Sequence, residues 1–477
     1  MTDGTRERPA PGKGEPLTLE VDDLNAQGEG VGRVNGLVVF VPGALPGDVV
    51  RVRLGSRRAP RAGGRGPAGT HPRSHAVAEL LSVERPSRDR VKAPCAVAED
   101  CGGCQLLALD YRAQLRWKTR VVSEALRRVG HLGGVPVRPC LGARNPLGYR
   151  NKAQFPVIAG YGPAHLRAGL FRRGTHDVVP VESCALQRPV NNAVLEAAVR
   201  LASNLGVRPY DEDTREGLLR HILARVSSDG REAMAVFVTA QAAFPAGRRL
   251  AARLMEAVPA VKTVVQNVNT RRTNVILGSR NIVLAGPGHI TDHVGGLRFR
   301  VSVSSFFQVN PEQAEALYAV VAEMVGGARR VADVYSGVGT ITLYLATRVS
   351  GIDEVVGIES NPDAVHDAVA NARDNHVDNV SFIHGDAARV LRDLATAGAG
   401  FDAVVLDPPR KGCEEEVLRA LAKLRPARVI YVSCNPATLA RDLAWLAGAG
   451  FRVGEVRPVD MFPETTHVEA VAMVERA

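Results

Sequence analysis

Alternation of short apolar runs with helical segments from about residue 305 onward constrains the fold more than any other feature. The predicted strands are RRVADVYS, EVVGIES, VSFIHGD, FDAVVLD and RVIYVS, and the last of them is apolar and β-branched, as a strand buried on both faces would be. Such strands, most of them separated by helices, are typical of a parallel doubly wound sheet. Residues 305–477 are therefore predicted to form a Rossmann-like α/β domain, with ligands bound at the carboxyl ends of its strands.

The amino-terminal part has a different pattern. Residues 16–84 contain five short β-branched runs divided by Gly, Pro and Asp turns: LTLEVDDL, GVGRV, LVVFV, DVVRVRL and HAVAELLSV. This spacing predicts a small β-barrel of the oligonucleotide-binding kind, although a plain SH3-like scaffold has the same pattern. Residues 1–15 are predicted to be a disordered tail. Residues 85–304 are predicted to form a mixed α+β middle domain, whose helix at about 109–130 we expect to pack on the C-terminal domain.

Composition points to a polyanionic partner. The chain has 477 residues and a formal net charge of +10, and residues 51–78 hold seven arginines without an acidic residue. Gly and Pro interrupt this stretch from Gly55 to Gly69, so we expect a mobile basic loop that contacts a phosphate backbone, the alternative being a solvated linker. No apolar run reaches the roughly 18 residues of a membrane span, and the first residues lack the apolar centre of a signal peptide. A cytoplasmic protein without a membrane partner is expected.

The segment DVYSGVGTITLYLA predicts a nucleoside site. Gly337 and Gly339 follow a strand and open a helix, where glycines allow close approach of a ligand, and Glu359 ends the next strand at the position of a ribose-binding acid. Thr342 replaces the third glycine of the dinucleotide motif, which weakens a pyrophosphate interpretation and favours S-adenosylmethionine. Acidic residues also end the two strands that follow, Asp386 and Asp407.

Cys434, in YVSCNPATLARDL, lies at the carboxyl end of a predicted strand and beside a helix N-terminus. The positive end of a helix dipole favours a thiolate there, whereas most unpaired cysteines are small buried hydrophobes. The preceding DPPRKG motif resembles that of enzymes that methylate exocyclic amines, which need no thiol. Cys434 is therefore the residue that distinguishes the two chemistries.

A thiol is needed to methylate C5 of a pyrimidine. Thiolate addition at C6 makes C5 nucleophilic towards a sulfonium methyl, and a base must then remove the C5 proton so that the thiol can leave. Glu469 begins the final apolar strand and is the candidate base. Glu464 and His467 compete with it, and His467 is the usual choice near neutral pH.

Six segments together resemble the RNA uracil-5-methyltransferase family: SSFFQVNPEQAEAL, DVYSGVGTITL, GIESNPDAV, LDPPRKGC, YVSCNPATLARDL and MFPETTHVEAVAMVER. The similarity extends over nearly the whole chain from about residue 16. It implies Cys434 as the nucleophile and Glu469, rather than His467, as the base. It also implies a set of S-adenosylmethionine contacts: Gln308, Tyr335, Glu359, Asp386 and Asp407. Thr340 departs from the pattern, since several relatives carry Asn there.

Four further cysteines form a possible metal-binding set: Cys95, Cys101, Cys104 and Cys184. Four thiolates restrict the metal to zinc or an iron–sulfur cluster, and the residues alone leave these two open; a C-x-x-C redox pair is a weaker alternative. The 23S rRNA members of the family carry a [4Fe–4S] cluster with this spacing, so the resemblance implies a cluster that fastens residues 95–104 to the middle domain.

The substrate expected from the resemblance is 23S rRNA. The N-terminal barrel is similar to a TRAM domain, and barrel plus cluster resemble the ribosomal members more than the compact tRNA members. The alternatives are a tRNA uridine methyltransferase, an N-methyltransferase that uses the DPP motif, an RNA-binding protein without activity and a redox sensor. No obligate protein partner is predicted.

Overall fold

A computed structural model describes residues 13–58, 75–161 and 165–477. The chain divides into two compact units. One comprises the residues up to Gln114 together with Glu464–Thr466, and the other comprises Leu115–Pro463 with His467–Ala477. Among the described residues, no helix is long and apolar enough to cross a membrane.

The first unit contains a closed five-stranded barrel with the strand order β1-β2-β3-β5-β4. Its strands are β1 (Pro16–Leu24), β2 (Gly30–Val34), β3 (Leu37–Val41), β4 (Val49–Arg58) and β5 (His75–Arg85). Alternate residues point inward, so Val39 and Val41 of β3 and Val50 and Val52 of β4 are fully buried. The predicted small barrel is confirmed.

The arginine-rich stretch begins as a strand rather than as a loop. Strand β4 continues through Arg58 and pairs with β5 as far as His75, so the loop expected from Gly55 is wrong for residues 55–58. Gly55 permits this pairing because a Cβ there would lie 2.5 Å from the carbonyl oxygen of Val77. The remaining arginines of the stretch lie outside the described residues: Arg61, Arg65 and Arg73.

The middle region forms a mixed seven-stranded sheet with the order β12-β11-β10-β9-β6-β7-β8. Its strands are β6 (Lys152–Ala159), β7 (Leu166–Phe171), β8 (Val178–Pro180), β9 (Leu219–Val226), β10 (Ala233–Thr239), β11 (Val261–Val268) and β12 (Arg280–Ala285). The helices of this region are α1 (Tyr111–Arg128), α2 (Pro189–Asn204) and α3 (Gly247–Ala257). The hairpin of β13 (His289–Val294) and β14 (Leu297–Ser302) leads into the C-terminal sheet.

The C-terminal region is a seven-stranded sheet with the order β17-β16-β15-β18-β19-β21-β20. Its strands are β15 (Arg330–Val334), β16 (Glu354–Glu359), β17 (Val380–His384), β18 (Ala403–Leu406), β19 (Arg428–Ser433), β20 (Phe451–Val459) and β21 (Glu469–Arg476). Its helices are α4 (Pro311–Val325), α5 (Thr340–Arg348), α6 (Pro362–Asp374), α7 (Ala387–Thr396), α8 (Glu415–Leu424) and α9 (Pro436–Gly448). The predicted doubly wound sheet is confirmed, with β21 antiparallel to β19.

Each face of this sheet packs against its own hydrophobic core. Successive residues of a strand point to opposite faces and therefore belong to different cores. Val331 and Val355 belong to the core that contains Leu317 of α4 and Leu343 of α5. Their neighbours Ala332 and Val356 belong to the core built with helices α7, α8 and α9. Val122 and Leu126 of α1 lie in this second core, so helix α1 packs on the C-terminal sheet. The carboxyl edge of the strands stays open for a ligand.

Candidate active site

Two cavities lie at the carboxyl edge of the sheet, and Tyr335 lines both of them. The larger, about 380 Å³, is lined among others by Glu359, Asp386 and Pro409. The smaller, about 40 Å³, is lined among others by Gln308, Tyr335, Gly337, Thr340 and Asp407. The crevice therefore gathers five of the predicted donor contacts, with Gly337 as a sixth.

The glycine loop after β15 has a left-handed backbone that an ordinary helix start lacks. Tyr335 has φ of +69° and Gly339 has φ of +83°, the latter at the N-cap of α5. A Cβ at Gly339 would lie 3.0 Å from Cζ of Phe382, so this position requires glycine for steric reasons. Gly339 is not among the residues that line the two cavities. A strained non-glycine residue such as Tyr335 is typical of a ligand-binding turn.

Glu359 fastens this loop. One carboxylate oxygen, Oε2, accepts a hydrogen bond from the backbone N–H of Gly337 at 3.0 Å. The other, Oε1, accepts from the N–H of Asn361 at 2.8 Å. Asp386 caps helix α7 by accepting from the N–H of Arg389 at 3.0 Å. Both acids thus end their strands at fixed positions beside the larger cavity.

Acidic residues dominate the charge of this crevice. Glu359, Asp386 and Asp407 line it, and the Lys411 ammonium is paired with Glu414 at 2.5 Å. This arrangement suits a nucleoside that carries a sulfonium and an ammonium group, and it disfavours a pyrophosphate. The residues present therefore fit S-adenosylmethionine.

Asp333 is a site residue that the sequence analysis missed. It is buried at the end of β15 and lines the smaller cavity, and its Oδ2 accepts a 2.6 Å hydrogen bond from Thr342. Its other oxygen, Oδ1, is buried without a hydrogen-bond partner. Burial raises the pKa of both Asp333 and Asp407 to about 7. The sequence feature that could have identified Asp333 is a charged residue inside the otherwise apolar run RVADV.

Cys434 and Glu469 occupy opposite positions on neighbouring strands. The last residues paired between β19 and β21 are Ser433 and Ala470, and Cys434 and Glu469 are the next residues along each strand. Because β21 is antiparallel, its first residue lies at the carboxyl end of β19. Opposite residues of an antiparallel pair have Cβ atoms about 5 Å apart on one face of the sheet. The sheet thereby brings the candidate nucleophile and the candidate base together.

The surroundings of Cys434 and Glu469 favour the protonated form of both groups. Burial, then the Glu469 carboxylate, raises the pKa of the Cys434 thiol to about 11, and the Arg410 guanidinium opposes this increase. Burial, then Asp407, raises the pKa of Glu469 to about 8, again opposed by Arg410. In the protein without its substrates, burial and Glu469 therefore outweigh the effect of the helix N-terminus, and the thiol is favoured over the expected thiolate. The Arg410 guanidinium favours the charged form of both groups, a role that could not be assigned to it from the sequence.

Glu464 and His467, the two alternatives to Glu469 as the base, lie in different environments. Glu464 is buried, and its Oε2 accepts a 2.8 Å hydrogen bond from the side-chain amide of Gln114 within the first unit. The ring of His467 contacts Phe462 with centroids 5.8 Å apart, and burial followed by nearby cations lowers its pKa. Neither residue lies opposite Cys434 in the strand register.

The four cysteines of the predicted metal set are each half-buried. Cys95, Cys101 and Cys104 belong to the first unit and Cys184 to the second. Sγ of Cys101 accepts a hydrogen bond from the N–H of Gly103 at 3.4 Å, a contact that suits a thiolate ligand. Within residues 13–58, 75–161 and 165–477, however, no group of three or more His, Cys, Asp or Glu side chains is placed to hold a metal ion. The cluster stays a prediction.

The strand order and the acid-lined crevice define a methyltransferase of the S-adenosylmethionine-dependent class. A model of the family described as tRNA (Uracil-5-)-methyltransferase matches residues 289–477, and a TRAM domain model matches residues 13–55. The chain is 41% identical over 465 residues to an uncharacterized RNA methyltransferase of Halalkalibacterium halodurans, covering 97% of each chain. It is 42% identical to another from Caldanaerobacter subterraneus, covering 97% of this chain and 98% of the relative.

A solved structure is also similar over nearly the whole chain. The tRNA (uracil-54, C5)-methyltransferase of Pyrococcus abyssi, in complex with S-adenosyl-L-homocysteine, superposes with a TM-score of 0.74 and 27% identity. The match covers 96% of this chain and 100% of that one. The chain belongs to the RNA uracil-5-methyltransferase family, and its activity is S-adenosylmethionine-dependent methylation of uracil at C5 in RNA.

Proposed function

We propose that the enzyme methylates C5 of a specific uridine through a covalent adduct between Cys434 and C6, with Glu469 as the base. The observation that carries this proposal is the strand register, which makes Cys434 and Glu469 opposite neighbours at the sheet edge. Asp407 connects the pair with the donor crevice, since its carboxylate acts on the pKa of both and lines the smaller cavity.

The chemistry follows from these positions. Cys434 first releases its thiol proton to solvent, its Sγ then forms a bond to C6, and the π electron pair of the C5–C6 double bond moves to C5. C5 attacks the sulfonium methyl, which forms the C5–CH₃ bond and releases S-adenosylhomocysteine. Glu469 takes the C5 proton, the C5–C6 double bond re-forms and the Cys434 thiolate leaves. Arg410 favours ionisation of both groups.

The donor contacts divide between the two cavities. We assign the ribose to Glu359 and Asp386 in the larger cavity, because carboxylates accept hydrogen bonds from sugar hydroxyls. We assign the methionine half to Gln308 and Asp407 in the smaller cavity, with Tyr335 between the two halves. Gly337 and Gly339 shape the loop that the nucleoside approaches.

The test combines substitution with trapping. Cys434→Ala should abolish methylation while donor affinity stays close to that of the wild type, since the thiol contacts the uracil and not the donor. Cys140→Ala is the matched control, because Cys140 is buried outside the crevice and should be dispensable. Appreciable turnover by Cys434→Ala would refute the adduct mechanism.

Two further experiments address the base. RNA with 5-fluorouridine at the target should be trapped covalently, since fluorine cannot leave as a proton after methyl transfer. Glu469→Gln should accumulate the same adduct on ordinary RNA, because elimination needs the carboxylate. If denaturing gels show no protein–RNA band in either case, Glu469 is not the base.

For the substrate we propose a uridine in 23S rRNA, with the barrel of residues 16–84 as an RNA-binding element. The resemblance of barrel and cysteine spacing to the ribosomal members supports this, as does the net charge of +10. A uridine in a folded segment must be flipped into the pocket, which favours an unpaired loop. A tRNA substrate is the second candidate, supported by the description of the matching family and by the Pyrococcus enzyme. Mapping 5-methyluridine in rRNA and tRNA from a deletion strain distinguishes them.

We also propose that Cys95, Cys101, Cys104 and Cys184 hold a [4Fe–4S] cluster that joins residues 95–104 to the rest of the middle domain, residues 85–304. The donor chemistry of four thiols and the N–H···S bond at Cys101 support it. The cluster takes no part in methyl transfer, which is redox-neutral. Anaerobically purified protein should contain iron and sulfide, and Cys101→Ser should lose both. One zinc per chain without iron would overturn this assignment.

A further inference from the structure

The loop of residues 407–413, sequence DPPRKGC, is bonded along its backbone to helix α9. The carbonyl oxygen of Arg410 accepts a 3.1 Å hydrogen bond from the side chain of Asn435, the N-cap of α9. One guanidinium nitrogen of Arg441, Nη2, donates to the carbonyl oxygens of Lys411 at 3.0 Å and Cys413 at 3.3 Å. Since Asn435, the N-cap of α9, directly follows Cys434, the loop and the segment that carries the nucleophile belong to one hydrogen-bonded unit.

Asp442 is the centre of this unit. Its side chain is only 1% exposed, and its Oδ2 accepts from the N–H of Cys413 at 2.9 Å and from the hydroxyl of Tyr431 at 2.6 Å. Its Oδ1 accepts from Arg441 at 2.7 Å. A Cβ at Gly412 would lie 2.5 Å from Oδ2, so the loop can approach the carboxylate only with glycine there. A carboxylate buried this deeply is retained only where its partners satisfy it.

The loop carries the cation that acts on the reacting groups. Arg410 lowers the pKa of Cys434 and of Glu469, opposing the increase caused by burial. The charged groups that act on the Cys434 thiol are Arg410 from this loop, Asp407 at the end of β18 and Glu469 at the start of β21. Arg410 is the single cation among these three, and it opposes the larger effects of burial and Glu469 on the thiol, so moving it away would make the thiolate harder to form.

We propose that Asp442 is a positioning residue for methyl transfer: it fastens loop 407–413 to helix α9 and so holds the Arg410 guanidinium beside the thiol of Cys434. This rests on the proposed role of Cys434 as the nucleophile. Tyr431 contributes a second bond to the same carboxylate oxygen and comes from the strand that ends at Cys434, so loop, strand and helix are fixed to one another at a single group.

The test measures the pH dependence of Cys434 alkylation. Full-length protein is treated with iodoacetamide, and mass spectrometry follows the peptide that contains Cys434, so the other cysteines do not interfere. Arg410→Gln should move the inflection upward by about one pH unit, with roughly tenfold slower alkylation below it, as expected for loss of a nearby opposite charge. Asp442→Asn should move the inflection in the same direction, and the double variant should move it no further than Arg410→Gln alone.

A matched control separates positioning from folding. Asp292→Asn removes another fully buried carboxylate, one that accepts hydrogen bonds from Ser228 and His293 in the middle region. It should lower the melting temperature without moving the inflection. If Asp442→Asn behaves like this control, Asp442 serves stability alone and the proposal is refuted.

A milder variant covers the case in which Asp442→Asn does not fold. Tyr431→Phe removes one donor to the carboxylate and keeps the buried ring, so it should move the inflection upward by less than Asp442→Asn. An unchanged inflection in Tyr431→Phe, with Arg410→Gln shifted, overturns the positioning role. The nucleophile assignment is tested independently, because Cys434→Ala reports on it through methylation.

Discussion

Glu469→Gln should change how the stability of the enzyme depends on pH. Burial and Asp407 raise the pKa of Glu469 from 4.5 to about 8, so between these values the folded protein holds a proton that the unfolded chain releases. A raised carboxyl pKa gives stability that is fully present below the unfolded value and is lost as pH rises through the folded value. The free energy of unfolding therefore falls with pH across this window, and glutamine removes this contribution.

The size of the effect follows from linkage. One group that is protonated only in the folded state changes the free energy of unfolding by about 1.4 kcal/mol per pH unit. From about pH 5.5 to about pH 7.5, the wild type should thus lose roughly 2.7 kcal/mol more than Glu469→Gln. Asp333 has a raised pKa in both proteins, and its contribution cancels in the difference. Asp407 is coupled to Glu469, so a change in its own titration is part of the measured difference.

Urea unfolding followed by tryptophan fluorescence measures this difference. Trp117 and Trp445 both belong to the unit that contains the C-terminal sheet. Glu475→Gln is the control on the same strand, since Glu475 is partly exposed and paired with Arg452, and its curve should follow the wild type. Parallel pH dependence of wild type and Glu469→Gln would show that Glu469 is ionised in the folded protein and would refute the reasoning.

Three other perturbations have expected outcomes. Lys118 and Asp460 form a fully buried ion pair at 2.5 Å, so Lys118→Met should cost about 3 to 5 kcal/mol, and Lys118→Met with Asp460→Leu should cost less in the same urea assay. Gly339→Ala should weaken donor binding in calorimetry and cost about 1 to 2 kcal/mol, because it strains a left-handed residue against Phe382. Removing residues 1–84 should weaken RNA binding and make log affinity fall less steeply with log salt, by roughly 0.7 to 0.9 for each lost phosphate contact, in an anisotropy titration. Identical salt slopes would mean that the basic stretch is a solvated linker.

Much of the fold could be predicted from local sequence patterns. The apolar runs that become β15, β16, β18 and β19 are buried on both faces, whereas β17 lies at the sheet edge and is only partly buried. The polar ends of these runs mark where strands stop, so Glu359, Asp386 and Asp407 could be placed at one edge. The donor-binding loop could be predicted as well, because its two glycines stand between an apolar run and a helix. Strand β4 was predicted too short because Gly55 looked like a turn, whereas it allows the approach of Val77.

Contacts between distant segments could not be derived in this way. Asp442 lies 29 residues from Cys413, and its position in an amphipathic helix resembles that of any polar residue. Asp333 is one acid in an apolar run, and Lys118 is one of several cations in α1; their burial depends on partners elsewhere in the chain. The raised pKa of Cys434 has the same origin, because burial and Glu469 outweigh the helix N-terminus that the sequence displays.

The antiparallel orientation of β21 limits where insertions and deletions can be accepted in this enzyme during evolution. Side chains alternate between faces of a strand, so a shift of one residue between β19 and β21 would send Glu469 to the opposite face from Cys434. Strand β20 already absorbs one extra residue between Val453 and Val456 by an irregular pairing, which leaves the register of β21 unchanged. Insertions and deletions should therefore be tolerated in the first half of β20 and selected against at the start of β21. A single codon gained between Glu469 and Ala470 would separate the two reacting groups while leaving both of them encoded.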